Sequence, residues 1–111
     1  MSANDPERSL SPSTVFELLA DPSRRGVLYA LSESDDGIRY ERLVDGLLRR
    51  EITPFDDRRR LRLELHHTVI PRLTASPFVQ YDRRTRRLRL TDPQSELEPY
   101  LEFARSMDRS R

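Results

Sequence analysis

Arginine carries most of the chemistry available to this sequence. Five arginines fall within residues 83–89, inside the run YDRRTRRLRLT, and Arg58, Arg59 and Arg60 stand together behind two aspartates. A guanidinium is a planar fork of donors that suits phosphate oxygens and guanine edges, where an ammonium is only a point charge. All 20 basic residues are arginine. A GC-rich genome would produce the same usage, so residue type alone does not choose a partner. Placement says more. The chain carries a formal charge of only +1, yet residues 58–90 hold ten arginines against Glu64 and Asp82, a balance of +8. The remainder holds ten arginines against seventeen acids, a balance of −7. Separation of sign along a chain points one face at a polyanion.

Other chemistries find less support. Cysteine is absent, which excludes disulfides, thiol catalysis and thiolate-bound zinc. His66 and His67 are adjacent, and neighbours on a helix point about 100° apart, so they cannot chelate one ion together. Glu64 and His67 have the i, i+3 spacing of di-iron bundles, but the second pair and the further carboxylates such sites need are missing. His66 is expected at the edge of the core and His67 facing outward. With 3 glycines, neither a phosphate-cradling loop nor a nucleophile elbow can be built. No enzyme, cofactor, metal or small-molecule ligand is expected. No apolar run approaches the ~20 residues that span a bilayer, and the opening MSANDPERSLSPS is not of signal-peptide type. A cytoplasmic protein is the expectation.

These arginines must be held by some framework, and the apolar periodicity predicts it. The 111 residues suit one domain with a thin core. Residues 1–10 read as a disordered tail, 11–107 as the domain and 108–111 as a second tail. A first helix starts near SPST with Ser11 or Ser13 as cap and turns Val15, Phe16, Leu18 and Leu19 inward. Asp21 and Pro22 end it and open the next, whose buried stripe is Val27, Leu28 and Leu31. SESDDG is a turn in which Gly37 can supply positive φ, and a very short strand follows at Ile38 and Arg39. Tyr40, Leu43, Val44, Leu47 and Leu48 then recur with helical period. Thr53 or Asp56 is available to cap a fourth helix, about 57–75. Its seam is Leu61, Leu65, Val69 and Leu73, with Leu63 and Ile70 widening the apolar arc. Pro71 removes a hydrogen bond and crowds the preceding turn, so a kink is expected there. Val79 and Tyr81, then Leu88 and Leu90, alternate with polar residues as half-buried strands do. A four-residue turn, 83–86, joins them. A last helix opens near Asp92 or Ser95 with Pro99 in its first turn and Leu97, Tyr100, Leu101 and Ala104 as its stripe.

The resulting order is that of a winged helix-turn-helix, in which the penultimate helix enters a DNA groove and the hairpin flanks it. VFELLADPSRRGVLYALSES resembles the opening of ArsR-type winged-helix regulators. LHHTVIPRLTASPFVQYDRRTRRLRLT and LEPYLE are similar to a haloarchaeal family of uncharacterised winged-helix regulators. The resemblance covers about residues 12–104. It departs at TASPF, where Pro77 stands in place of the glycine many relatives carry before the wing. The Cys and His clusters of ArsR-type metal sensors are also missing, so metal sensing does not carry over. Haloarchaeal proteins are generally acidic and this one is not, which favours a nucleic-acid partner. At molar salt the Debye length shrinks to ~3 Å, so contacts would rest on short-range bidentate hydrogen bonds.

The expectation is therefore an α+β, mostly helical winged helix-turn-helix with a two-stranded wing, about 78–91, and a C-terminal helix. Its function would be sequence-specific binding of double-stranded DNA as a transcriptional regulator. It would be a homodimer through the first and last helices, whose stripes exceed what so small a core can cover. Arg58, Arg59, Arg60, Glu64, His67 and Thr68 on the recognition helix and Arg83, Arg84, Arg86 and Arg87 on the wing are the expected DNA contacts. Two other readings stay open. A protein–protein adaptor of the same fold would show an exposed apolar patch on the outer helices and a wing held in internal ion pairs. An RNA-binding module is the third.

Overall fold

The computed structural model describes residues 11–50, 54–91 and 97–109. Within them the protein is an α+β, mostly helical domain with one three-stranded antiparallel sheet. The expected tail at 1–10 and the cap candidates Thr53, Asp92 and Ser95 lie outside these residues.

Helix α1 (Pro12–Leu19) and helix α2 (Pro22–Ser32) begin alike. Ser11 and Asp21 each accept a backbone N–H, from Thr14 and Arg24, and a proline fills the first helical position. Val15, Leu18 and Leu19 are buried, whereas Phe16 is 58% exposed, contrary to the expected inward face. Gly37 takes φ +86, and a Cβ there would lie 2.5 Å from the Leu88 carbonyl oxygen, so the turn into β1 (Ile38–Arg39) requires glycine. Helix α3 (Tyr40–Arg50) buries Tyr40, Leu43, Val44 and Leu47.

Helix α4 (Arg58–Glu64) is capped by Asp57 rather than Thr53 or Asp56, its carboxylate accepting the Arg60 N–H. The single helix expected over 57–75 is interrupted by a π-helical turn at Leu65–Val69 and resumes as α5 (Ile70–Ala75). The buried seam explains it. Leu61, Leu65, Val69 and Leu73 are all fully buried. A repeat of four in a helix of 3.6 residues per turn drifts about 40° at each step. One wider turn cancels that drift and keeps all four on the core. Where the ladder returns to α-helical spacing one carbonyl drops out of it, and Pro71, which has no N–H to offer, sits at that return. A π turn thus stands where a kink was expected.

Strands β2 (Val79–Asp82) and β3 (Arg87–Leu90) pair with Val79 opposite Leu90 and Tyr81 opposite Leu88. Beyond the expected hairpin, β1 pairs with the far edge of β3, giving the order β1-β3-β2. Val79, Leu88 and Leu90 face the core and Arg39, Arg87 and Arg89 the outside.

Helix α6 (Glu98–Arg109) runs past residue 108, where a tail was expected. Leu97 and Leu101 are fully buried, and Tyr100 and Ala104 pack against the same core. The far end is anchored by Asp108, which accepts hydrogen bonds from Arg25 Nε at 3.0 Å and from the Tyr29 hydroxyl at 2.6 Å. Burial, then the Asp108 hydrogen bond, pushes the Tyr29 hydroxyl up to about 12, so it stays a donor.

Candidate nucleic-acid interface

The turn between β2 and β3 is shaped by its one acid. Asp82 accepts the backbone N–H groups of Arg84 at 2.9 Å and Thr85 at 3.4 Å through one carboxylate oxygen, while its carbonyl accepts Arg86 N–H at 2.7 Å. The Arg84 amide leads in holding the Asp82 carboxyl below its ordinary range. Arg86 then takes φ +58 without being glycine, and its carbonyl receives the N–H of Tyr40 at 2.8 Å. This bond fixes the hairpin tip beside the start of α3.

With the tip so built, the side chains of Arg83, Arg84 and Arg86 are exposed, and none makes an ion pair among the described residues. Arg87 donates to the Gly37 carbonyl at 3.3 Å and Arg89 to Gln80 at 3.1 Å, neither to a carboxylate. Elsewhere only some of the arginines are tied down, and Arg39, Arg42, Arg49, Arg59 and Arg60 have no salt bridge among the described residues. Arg25, Arg50, Arg72 and Arg105 each hold a carboxylate, and so do two on α4 itself. Arg58 is bound to Asp45 and lies 4.0 Å from Glu41, and Arg62 pairs with Glu41 at 2.6 Å.

On α4 the outward face is not centred where the sequence places it. Leu63 was expected to widen the apolar arc, yet it is 50% exposed. On a wheel it lies opposite Leu61 and Leu65, flanked by Arg59 and Arg60, with His67 and Thr68 exposed beyond them. Glu64 is half-buried at the side of this face. His66, expected at the core edge, is exposed, but its ring leans on Tyr40 with centroids 4.9 Å apart. The Arg62 guanidinium stands 5.4 Å over the same tyrosine ring, a cation–π contact. Burial pushes the Tyr40 hydroxyl up from its ordinary value, and it has no hydrogen-bond partner among the described residues.

Leu63 and Arg62 are the residues the sequence reading missed. The signal for Leu63 was the wheel itself, on which it lies too far from the seam to share its burial. Among the described residues no group of three or more His, Asp or Glu side chains could hold a metal ion, and no helix is long and apolar enough to cross a membrane.

No curated protein and no solved structure matches the chain. A family model, Domain of unknown function (DUF7344), matches residues 16–89, a stretch that runs from α1 into β3 and contains both the α4 face and the arginine hairpin. That match covers well over half of the 111 residues, and the chain belongs to this family.

Proposed function

We propose that the protein is a winged helix-turn-helix and a sequence-specific, DNA-binding transcriptional regulator. In this reading α3 and α4–α5 are the helix-turn-helix, and the β2–β3 hairpin is the wing. The single observation that carries it is the contrast among the arginines. Arg25, Arg50, Arg58, Arg62, Arg72 and Arg105 are each held by a carboxylate, while Arg83, Arg84 and Arg86 crowd one tip, and Arg59 and Arg60 stand on the outward face of α4, without an ion pair among the described residues. Clustered cations repel one another unless an anion relieves them, and a phosphate backbone supplies anions at regular spacing. The wing then positions the protein and α4 reads bases. Arg59, Arg60 and His67 offer donors to base edges, and half-exposed Leu63 offers an apolar contact to a thymine methyl. Arg58, committed to Asp45, is the weakest of the residues singled out from sequence.

The test is DNA affinity of Arg83→Ala/Arg84→Ala across a salt series. Affinity should fall on every duplex alike, and the slope of log affinity against log salt should become shallower by ~0.9 per lost phosphate contact. The melting temperature should hardly move, since exposed charges contribute little to stability. Unchanged affinity and slope would reduce the hairpin to a solvated turn.

The adaptor reading has one observation in its favour. Phe16, Phe103 and Met107 are more than half exposed on α1 and α6, and Phe16 meets Tyr100 edge-on at 5.7 Å. We assign these residues to a homodimer contact instead. The stripe expected to serve it, Leu97 and Leu101, is spent on the protein's own core.

A further inference from the structure

On the flank of the domain a groove of about 790 Å³ runs between the end of α2, β1 and the outer face of α3, with Arg87 of β3 at its edge. That is the size of a small-molecule site. Five arginines line it, Arg39, Arg42, Arg49, Arg50 and Arg87, against two glutamates. The glutamates offset only part of this charge, because Glu33 neutralises Arg50 within the groove and Glu41 is drawn away by Arg62 from α4. Asp45, whose charge reaches Arg42 and Arg49, is bound by Arg58. Arg39, Arg42 and Arg49 have no salt bridge among the described residues.

Two features of the backbone make this more than a basic surface. First, the sheet register sets Arg39 directly opposite Arg87, and like charges at opposed positions destabilise a strand pair. Asp82, on the other side of Arg87, has one carboxylate oxygen engaged by the hairpin N–H groups. Second, Gly46 lies in the interior of α3 and lines the groove, at the expense of helix stability. Packing does not require it, because an added Cβ would meet nothing within 4 Å. Arg42 and Arg49 stand four residues before it and three after, on the same helix face and about 10 Å apart along the axis. Between two guanidinium groups, bare backbone forms the floor of the gap. A glycine so placed lets a ligand approach the main chain closely.

We propose that this groove binds a nucleoside di- or triphosphate. Its phosphates lie on Arg39 and Arg87, where two opposed forks can each take a bidentate pair of oxygens. Its flat base lies over Gly46, stacked against Arg42 or Arg49. The site shares Arg87 with the hairpin but none of the tip residues Arg83, Arg84 and Arg86, and it stands whether or not the protein binds DNA.

The test is isothermal calorimetry with ADP on the full chain, using wild type, Arg39→Gln and Gly46→Gln. Wild type should bind one ADP per chain. Arg39→Gln should weaken binding about tenfold, the loss of one charged hydrogen-bonded pair. Gly46→Gln should weaken it as much while melting no lower than wild type, because its side chain enters open space and favours the helix. Both variants should bind duplex DNA within about twofold of wild type, a difference under 0.5 kcal/mol. Absence of ADP binding to wild type would overturn the proposal, as would equal binding by Gly46→Gln. A loss of DNA affinity in both variants, with no ADP bound by any form, would make the groove a path for DNA phosphates instead. Inorganic pyrophosphate binding as tightly as ADP would remove the base from the site.

Discussion

Arg86 serves with its backbone and its charge at once, and the two roles can be separated. Its φ of +58 is a conformation that costs a residue with a Cβ about 1–2 kcal/mol. Replacing it with glycine should therefore stabilise the fold, by about 1 kcal/mol in urea denaturation, while removing one wing charge and lowering DNA affinity. Opposite signs in the two measurements are the expected result; a loss of both would mean that the side chain supports the turn. Leu63 gives a second residue-scale prediction. Being half exposed, its replacement by glutamine should change stability by no more than about 0.5 kcal/mol. The same change should lower preference for one thymine in a selected duplex by roughly tenfold or less, as expected for one apolar base contact. Loss of discrimination at no position would remove Leu63 from the reading face.

Among the elements, α3 and the hairpin each offer a direct check. Gly46→Ala should stabilise the protein by about 0.5–1 kcal/mol, the difference between the two residues in a helix interior with open space above it. In the hairpin, Asp82 has its carboxyl held below 3.8 by the Arg84 amide and its neighbours. A group depressed in the folded state contributes its stability above the ordinary carboxylate range and loses it as pH falls through the depressed value. An acid titration followed by NMR should show the Arg84 and Thr85 amides shifting with a midpoint below 3.8, and Asp82→Asn should abolish that step. The elements differed in how far they could be read in advance. Ser11, Asp21 and Gly37 announced their turns because each acts through its own side chain or its own φ. The strand alternation at Leu88 and Leu90 was equally plain. The π turn was harder, although its two causes, a strict repeat of four and Pro71, are both in the sequence; only burial of the whole seam joins them. The pairing of β1 with β3 depends on contacts between distant segments, which periodicity does not carry. That pairing is what opposes Arg39 to Arg87, so the groove was invisible from the sequence, whereas the recentring of the α4 face on Leu63 could have been read from the wheel.

At the scale of the molecule, α6 closes the core with Leu101 and leaves Phe103 and Met107 exposed on its other side. Removing it would take Leu101 out of the core and uncover the apolar side chains it packs against, so a truncated chain should unfold rather than yield a clean monomer. Leu101→Ala alone should cost about 2–5 kcal/mol. The proposed dimer is better tested at Phe16 and Phe103, which are 58% and 67% exposed. Changing both to serine should keep the fold and halve the mass seen by light scattering, with weaker binding to duplexes carrying two half-sites. A mass that stays the same would remove this face from the interface. The sheet order also bears on synthesis. Ile38 and Arg39 leave the ribosome long before Leu88 and Arg87, and until those arrive β1 has no strand to pair with and Tyr40 N–H has no Arg86 carbonyl. Closing so long a loop is slower than forming a hairpin. The helices up to α3 can therefore dock while translation continues, and the hairpin forms as a unit before it captures β1. The arginine-rich stretch emerges late onto a partly folded body, which shortens its time as a loose polycation beside ribosomal RNA.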